Sequence, residues 1–303
     1  MVGKKYKRQK TQTSSFGVSR RESHDSSIFY SKKLYKKVKG EHKEKYIENP
    51  IEKNVIDKFH CIDSRNMSII PDSSIHLMVT SPPYNASKEY DKDLDLQEYR
   101  QLLIDVFKET YKKLVPGGRA CINIANIGRK PYIPLHAYIT EDMISLGYLM
   151  RGEIIWNKSA SAGTSTAWGS WMSASNPTLR DVHEYILIFS KATFAREKEE
   201  RKNTILKDDF LEYTKSIWNF PATSAKQAEH PAPFPEALPN RLIQFYTFEG
   251  DVILDPFCGS GNACIAAIKA KRHFIGFDNE KKYIEIANRR IKKYMGQKGL
   301  DDF

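Results

Sequence analysis

The sequence predicts an α/β fold, a mostly parallel sheet with helices on both faces. Three observations lead there. Short apolar strands alternate with amphipathic helices along the chain. A strand at 251–254 runs into Asp255-Pro256-Phe257-Cys258-Gly259-Ser260-Gly261 and then a helix, the order in which doubly wound sheets receive a ligand. An acidic residue, Asp278, ends the next strand. A length of 303 residues, 40% of them hydrophobic, is ample for a buried core.

The first 45 residues stand apart. They hold 14 Lys and Arg against 4 Asp and Glu, whereas the rest of the chain carries a net charge of only +1. Ser is frequent there, and Tyr6, Tyr30 and Tyr35 are scattered between the charges, a composition that orders poorly in isolation. Such an arm is either a solvated tail or one that lies along phosphates and gains affinity by counterion release; charge alone leaves both open.

Folded sequence is expected from Tyr46 onward. Residues 75–80 form an apolar strand that Ser81-Pro82-Pro83 halts, since proline cannot donate to a sheet ladder. From Leu96 to Leu114 the apolar residues Tyr99, Leu102, Leu103, Val106, Phe107, Tyr111 and Leu114 follow helical spacing, and Pro116-Gly117-Gly118 is expected to end that helix. A buried strand at 119–125, a helix at 134–146 stopped by Gly147, and strands at 148–156 and 183–189 follow. A helix at 236–248 precedes the strand at 251–254; a helix over 262–270, a strand over 273–277 and a helix over 280–294 complete the pattern. Two stretches break it. Residues 157–180 are Ser, Ala, Gly and Thr with Trp168 and Trp171, and long loops of this kind carry function or lack order. Residues 191–217 are strongly charged, with a short helix expected.

Four cysteines, Cys61, Cys121, Cys258 and Cys264, show no paired spacing. This argues against a disulfide framework or a zinc site and for a reducing cytoplasm. No apolar run reaches the roughly 20 residues of a membrane helix. The basic start at Lys4, Lys5, Lys7 and Arg8 is not followed by an apolar stretch, so no secretory signal is expected.

Gly259 and Gly261 permit a tight turn and close backbone approach to a ligand, with a helix N-terminus behind them. Asp278 lies about 20 residues on, where an acid receives ribose hydroxyls. Asp255 puts negative charge at the mouth, and no Gly-Lys-Ser/Thr follows, so a phosphate cradle is disfavoured. A nucleoside cofactor with a cationic amino-acid end suits this unit. The second constellation is Ser81-Pro82-Pro83-Tyr84. Two prolines stiffen the loop and remove N–H donors, which leaves carbonyls to accept, and Tyr84 offers a flat face. Carbonyl acceptors beside a stacking ring suit a planar amine.

Together these two motifs resemble the amino-methylating DNA methyltransferases, which use S-adenosylmethionine. In that family the Pro-Pro-Tyr loop is motif IV and the Gly-rich turn motif I; motif IV comes first here, as in the circularly permuted β group. The segment from His230 through Phe234 to Pro239 resembles motif X, and His60-Cys61-Ile62-Asp63 resembles the stretch that approaches the cofactor adenine. The resemblance covers about 46–190 and 218–294. It implies a class I S-adenosylmethionine-methyltransferase (Rossmann-like) fold. The catalytic residues would be Ser81, Pro82, Pro83 and Tyr84. The cofactor residues would be Asp63, Phe234, Asp255, Pro256, Phe257, Gly259, Ser260, Gly261, Asn262 and Asp278. Two departures stand out. Asn262 takes the place usual for Thr and could still cap a helix. Ser81 stands where adenine-modifying members mostly have Asp, and in the family Ser usually accompanies cytosine modification at the exocyclic amine.

The implied activity is methylation of cytosine N(4) in a base flipped from duplex DNA, in a prokaryotic cytoplasm, with a restriction-modification or epigenetic role. Adenine-N(6) methylation is the alternative, and a catalytically silent DNA-binding relative a second. The implied partners are double-stranded DNA, a second copy of the chain, and a cognate restriction endonuclease acting on the same site. The loop at 157–180, the insertion at 191–217 and the basic arm are the candidate DNA-recognition segments.

Overall fold

The computed structural model describes residues 11–12, 24–25, 27–36, 38, 40–42, 44–84, 94–128, 130–158, 169–222 and 234–297. The chain divides into two compact units, Met1–Gly40 and Glu41–Phe303. In the first, Thr11–Gln12 pairs in parallel with His24–Asp25, and Ser27–Tyr30 forms a helical turn.

The second unit holds an eight-stranded sheet. Its strands in chain order are β1 (Lys58–Cys61), β2 (Ile75–Thr80), β3 (Leu114–Ile124), β4 (Leu149–Asn157), β5 (His183–Ser190), β6 (Ile217–Asn219), β7 (Val252–Asp255) and β8 (His273–Asp278). Across the sheet they run β6-β4-β5-β3-β2-β7-β8-β1. β5 is antiparallel to both neighbours, β3 and β4; every other pairing is parallel. The helices are α1 (Leu96–Lys113), α2 (Leu135–Ser145), α3 (Lys207–Tyr213), α4 (Ala237–Tyr246), α5 (Asn262–Lys269) and α6 (Lys281–Gln297).

Alternation along the strands sorts the core into two layers. Leu77, Val79, Ile253 and Phe274 pack on one face with Leu238, Leu242 and Ile243 of α4, Ala266 of α5 and Ile284 of α6. Their neighbours Met78, Leu254 and Ile275 pack on the other face with Leu103, Val106 and Phe107 of α1 and Ile139 and Met143 of α2. Helices therefore cover both faces, as the strand–helix alternation predicts.

The structure corrects two sequence expectations. Pro116-Gly117-Gly118 does not terminate a helix. α1 has already ended at Lys113, and the triplet lies inside β3 as an irregularity: Ile75 pairs with Leu114, and pairing resumes at Leu77 with Arg119. Gly117 sits at φ +78°, and a Cβ there would lie 2.3 Å from the Ala195 carbonyl oxygen, so only glycine fits. The edge strands β1 and β6 are the second difference, since the sequence pattern predicts neither.

Candidate active site

Strands β2, β3, β7 and β8 all end at one edge of the sheet, and β5, running the other way, begins there. That edge collects the polar residues of both motifs.

The Gly-rich turn follows β7. Gly259 and Gly261 both lie at positive φ. A Cβ on Gly261 would stand 2.8 Å from Cζ of Phe59 in β1, and one on Gly276 in β8 would stand 2.6 Å from Cδ1 of the same ring. Asp278 Oδ2 accepts the Gly259 N–H at 3.0 Å and Oδ1 accepts the Glu280 N–H at 2.9 Å. Asp278 is half-buried, and burial holds its carboxyl above the usual range. Each oxygen keeps a further lone pair for a ligand hydroxyl. Asp255 is 1% exposed. Its Oδ1 accepts from Thr80 Oγ1 at 2.7 Å and from the Phe257 N–H at 3.2 Å. Burial pushes this carboxyl up to about 7, against the pull of the Thr80 hydrogen bond.

The remaining predicted cofactor residues surround this turn. Pro256 accepts Ser64 Oγ through its carbonyl at 2.7 Å, and the half-buried Phe257 ring packs against the core. Ser260 is buried and its carbonyl accepts from Arg290. Phe234 is half-buried against the core, and its carbonyl accepts Asn262 Nδ2 at 2.7 Å. Asn262 is the first residue of α5, not its cap. Gly261 holds the N-cap position, and Asn262 Oδ1 accepts from Arg290 at 2.7 Å. Asn262 thus ties three segments together with both ends of its amide, which corrects the capping role. Asp63 lies two residues past Cys61, the partner of Asp278 in the β1–β8 ladder, and grips Arg65 through both carboxylate oxygens. His230 lies outside the described residues.

Ser81, Pro82, Pro83 and Tyr84 leave the end of β2, beside β7. The Tyr84 hydroxyl is 3.0 Å from Ser81 Oγ and donates to Glu184 Oε2 at 3.2 Å. Asn123, near the end of β3, donates Nδ2 to Glu184 Oε2 at 2.6 Å and to the Tyr84 oxygen at 3.1 Å. Lys158, just past β4, donates to Glu184 Oε1 at 2.5 Å. Burial, then the charge of Glu184, hold the Tyr84 phenol well above its usual pKa. Sequence reasoning missed Asn123, Lys158 and Glu184. The available signal was a polar residue at the site end of an apolar strand, as in Cys121-Ile122-Asn123-Ile124 and His183-Glu184-Tyr185-Ile186.

The candidate recognition segments are placed in part. Trp171 is 68% exposed, whereas Trp168 lies outside the described residues. The insertion at 191–217 turns two of its cations inward, Arg196 to Asp251 at 2.6 Å and Arg201 to Asp251 at 3.3 Å.

The strand order, the Gly-rich turn after β7 and the acid ending β8 define the class I S-adenosylmethionine-dependent methyltransferase fold. A family model described as DNA methylase, the N6/N4 methyltransferases, matches residues 75–289. The chain belongs to that family. The type II methyltransferase M.MjaI of Methanocaldococcus jannaschii is 31% identical over 280 residues, covering 79% of this chain and 92% of its own. M.MthZI of Methanothermobacter thermautotrophicus, also a type II methyltransferase, is 29% identical over 76% of this chain and 75% of its own. The crystal structure of TTHA0409 from Thermus thermophilus, complexed with S-adenosyl-L-methionine, superposes with a TM-score of 0.62 at 30% identity, covering 78% and 95% of the two chains. The cytosine-N4-specific PvuII DNA methyltransferase shares the fold, with a TM-score of 0.62 at 21% identity over 77% and 85%.

Proposed function

We propose that this DNA methylase transfers a methyl group from S-adenosylmethionine to the exocyclic N(4) amine of a cytosine flipped out of duplex DNA. The observation that carries the choice of base is Ser81: a hydroxyl, not a carboxylate or amide, opens the Pro-Pro-Tyr loop and stands 3.0 Å from the Tyr84 hydroxyl. That residue is the one the family resemblance associates with cytosine.

The turn suits the cofactor chemically. Asp255 is a buried carboxyl raised by desolvation, which a cationic amino-acid end would neutralise. Asp278 has lone pairs to spare for ribose hydroxyls, and Gly259 and Gly261 present backbone without side chains. When bound, S-adenosylmethionine supplies an electrophilic methyl on a sulfonium. The exocyclic amine is a weak nucleophile because its lone pair is conjugated with the ring. The Pro82 carbonyl and the Ser81 hydroxyl accept its N–H groups, which frees the lone pair, and the rigid loop fixes the line of attack. The base leaves the stack to reach this edge, and the Tyr84 ring gives it a platform.

On this reading the partner is double-stranded DNA, and a second copy of the chain and a companion endonuclease belong to the same proposal. The test is methylation of DNA by the purified protein, followed by mass spectrometry of the nucleosides. N4-methylcytosine is the expected product; N6-methyladenine would overturn the choice of base.

A further inference from the structure

We propose that Glu184 is the positioning residue of the methyl-transfer site. It fixes the Ser81 hydroxyl as an acceptor toward the substrate amine and takes up the proton that the amine releases. This rests on Ser81 as the amine's acceptor and not on which base carries the amine.

The direction of the hydrogen bonds follows from counting protons. A carboxylate accepts and cannot donate. The Tyr84 hydroxyl has one hydrogen, and Glu184 Oε2, 3.2 Å away, takes it. Asn123 Nδ2 also donates to the Tyr84 oxygen at 3.1 Å. With its hydrogen spent, that oxygen can only accept from Ser81 at 3.0 Å, so Ser81 is the donor in the contact between the two hydroxyls. The Ser81 lone pairs are then left for another partner, and a group approaching them must bring a hydrogen. An N–H2 satisfies this; a carbonyl oxygen in the same place would meet lone pairs and be rejected. Lys158 holds the far oxygen of the carboxylate at 2.5 Å, and its ammonium also lies 5.4 Å from the centre of the Trp156 ring. This keeps Oε2 turned toward the phenol. Glu184 is 13% exposed at its side chain.

The same chain of bonds is an exit for the proton. As the N–CH3 bond forms, the C–S bond breaks and its electron pair leaves with sulfur. The amine N–H proton passes to Ser81 Oγ, the Ser81 proton to the Tyr84 oxygen, and the Tyr84 proton to Glu184 Oε2. The products are a neutral methylated amine, a neutral thioether and a protonated Glu184, so charge and atoms balance.

Glu184→Gln, Tyr84→Phe, the double variant Glu184→Gln with Tyr84→Phe, and the double variant Glu184→Gln with Lys158→Gln test this. Single-turnover transfer of labelled methyl to DNA is followed, which is independent of the base modified. Glu184→Gln and Tyr84→Phe should each slow transfer by about a hundredfold, the scale of a lost proton acceptor. Their combination should add little, because both break one path. S-adenosylmethionine affinity, by calorimetry, should be unchanged in all four variants. Neutralising Lys158 removes the positive charge that faces position 184 in Glu184→Gln and should not restore the rate. A separate readout needs neither cofactor nor DNA: 3-fluorotyrosine at position 84 should change its fluorine resonance in Glu184→Gln. A Glu184→Gln rate within about threefold of the parent, recovery with Lys158→Gln, or an unmoved fluorine resonance would overturn the proposal. Formation of N6-methyladenine would leave it standing and overturn only the choice of base.

Discussion

Thr80 and Asp255 join the two motifs directly: the Thr80 hydroxyl donates to the Asp255 carboxylate at 2.7 Å, and both side chains are buried. Thr80 is the residue before Ser81, and Asp255 opens the Gly-rich turn. β2 and β7 pair side by side, with Ile253 opposite Leu77 and Leu254 opposite Met78. Just past these pairs, where both strands end, the bond ties the start of the Pro-Pro-Tyr loop to the start of the Gly-rich turn.

Ionisation of Asp255 should show in stability. Its folded pKa lies near 7, above the ordinary value near 3.8. Between those values the unfolded chain gives up a proton that the folded chain keeps. Stability is therefore lost as pH rises from about 4 to 7 and changes no further above. Asp255→Asn, which keeps an acceptor for Thr80, should stabilise the cofactor-free protein at pH 8 by on the order of a few kcal/mol. At pH 4 the gain should vanish. A thermal melt series across this range checks it, and a gain equal at both ends would assign the effect to packing.

Removing the acid of β8 should cost cofactor affinity. Asp278→Ala is expected to weaken S-adenosylmethionine binding by roughly 2 kcal/mol, the scale of hydrogen bonds lost to a charged group. Calorimetric titration measures it, and unchanged affinity would remove Asp278 from the ribose site.

Gly261→Ala should destabilise the fold itself. The added methyl would meet the Phe59 ring at 2.8 Å, and the backbone sits at φ +83°. The expected loss is about 1–3 kcal/mol in chemical denaturation. Pairing it with Phe59→Leu should recover part of that loss; no recovery would place the cost in the backbone angle alone.

The basic arm should act through salt. Residues 1–45 carry most of the excess of the net charge of +11. Deleting them should weaken cognate and random DNA about equally and flatten the slope of log K against log salt, by about one unit for each phosphate no longer neutralised. Cofactor affinity should not change. Fluorescence anisotropy at several salt concentrations decides, and equal slopes would make the arm a bystander.

Much of this architecture was legible in the sequence because buried parallel strands read as apolar runs. β2 is of that kind, and the apolar stretch of β5 reads the same way. β1 and β6 escaped because they are short edge strands of four and three residues with mostly outward-facing side chains, so no apolar run marks them. The spacing of α1 announces that helix. Its end, read at Leu114, falls within one residue of Lys113. What Pro116-Gly117-Gly118 hides is the start of the next strand, expected at 119 and found at Leu114, because the break in regular structure falls within that strand. The motif residues Ser81, Tyr84, Asp255 and Asp278 were readable as local patterns. Glu184 offered only the weak mark of a polar residue opening an apolar strand; its meeting with Tyr84, 100 positions away, is a proximity that local sequence does not report.

The Lys158–Glu184 bridge has a meaning beyond the hydroxyls it serves. The two residues stand at the outer ends of the chain joining β4 to β5, and the Lys158 N–H also donates to the Val182 carbonyl at 2.7 Å. The stretch between them is thus gathered at its neck, as by a collar. Substitutions or added length beyond the collar need not disturb Tyr84, whose surroundings are fixed below it. A lineage can therefore vary the sequence between Lys158 and Val182 while the Tyr84–Glu184 contact is held by residues outside that stretch.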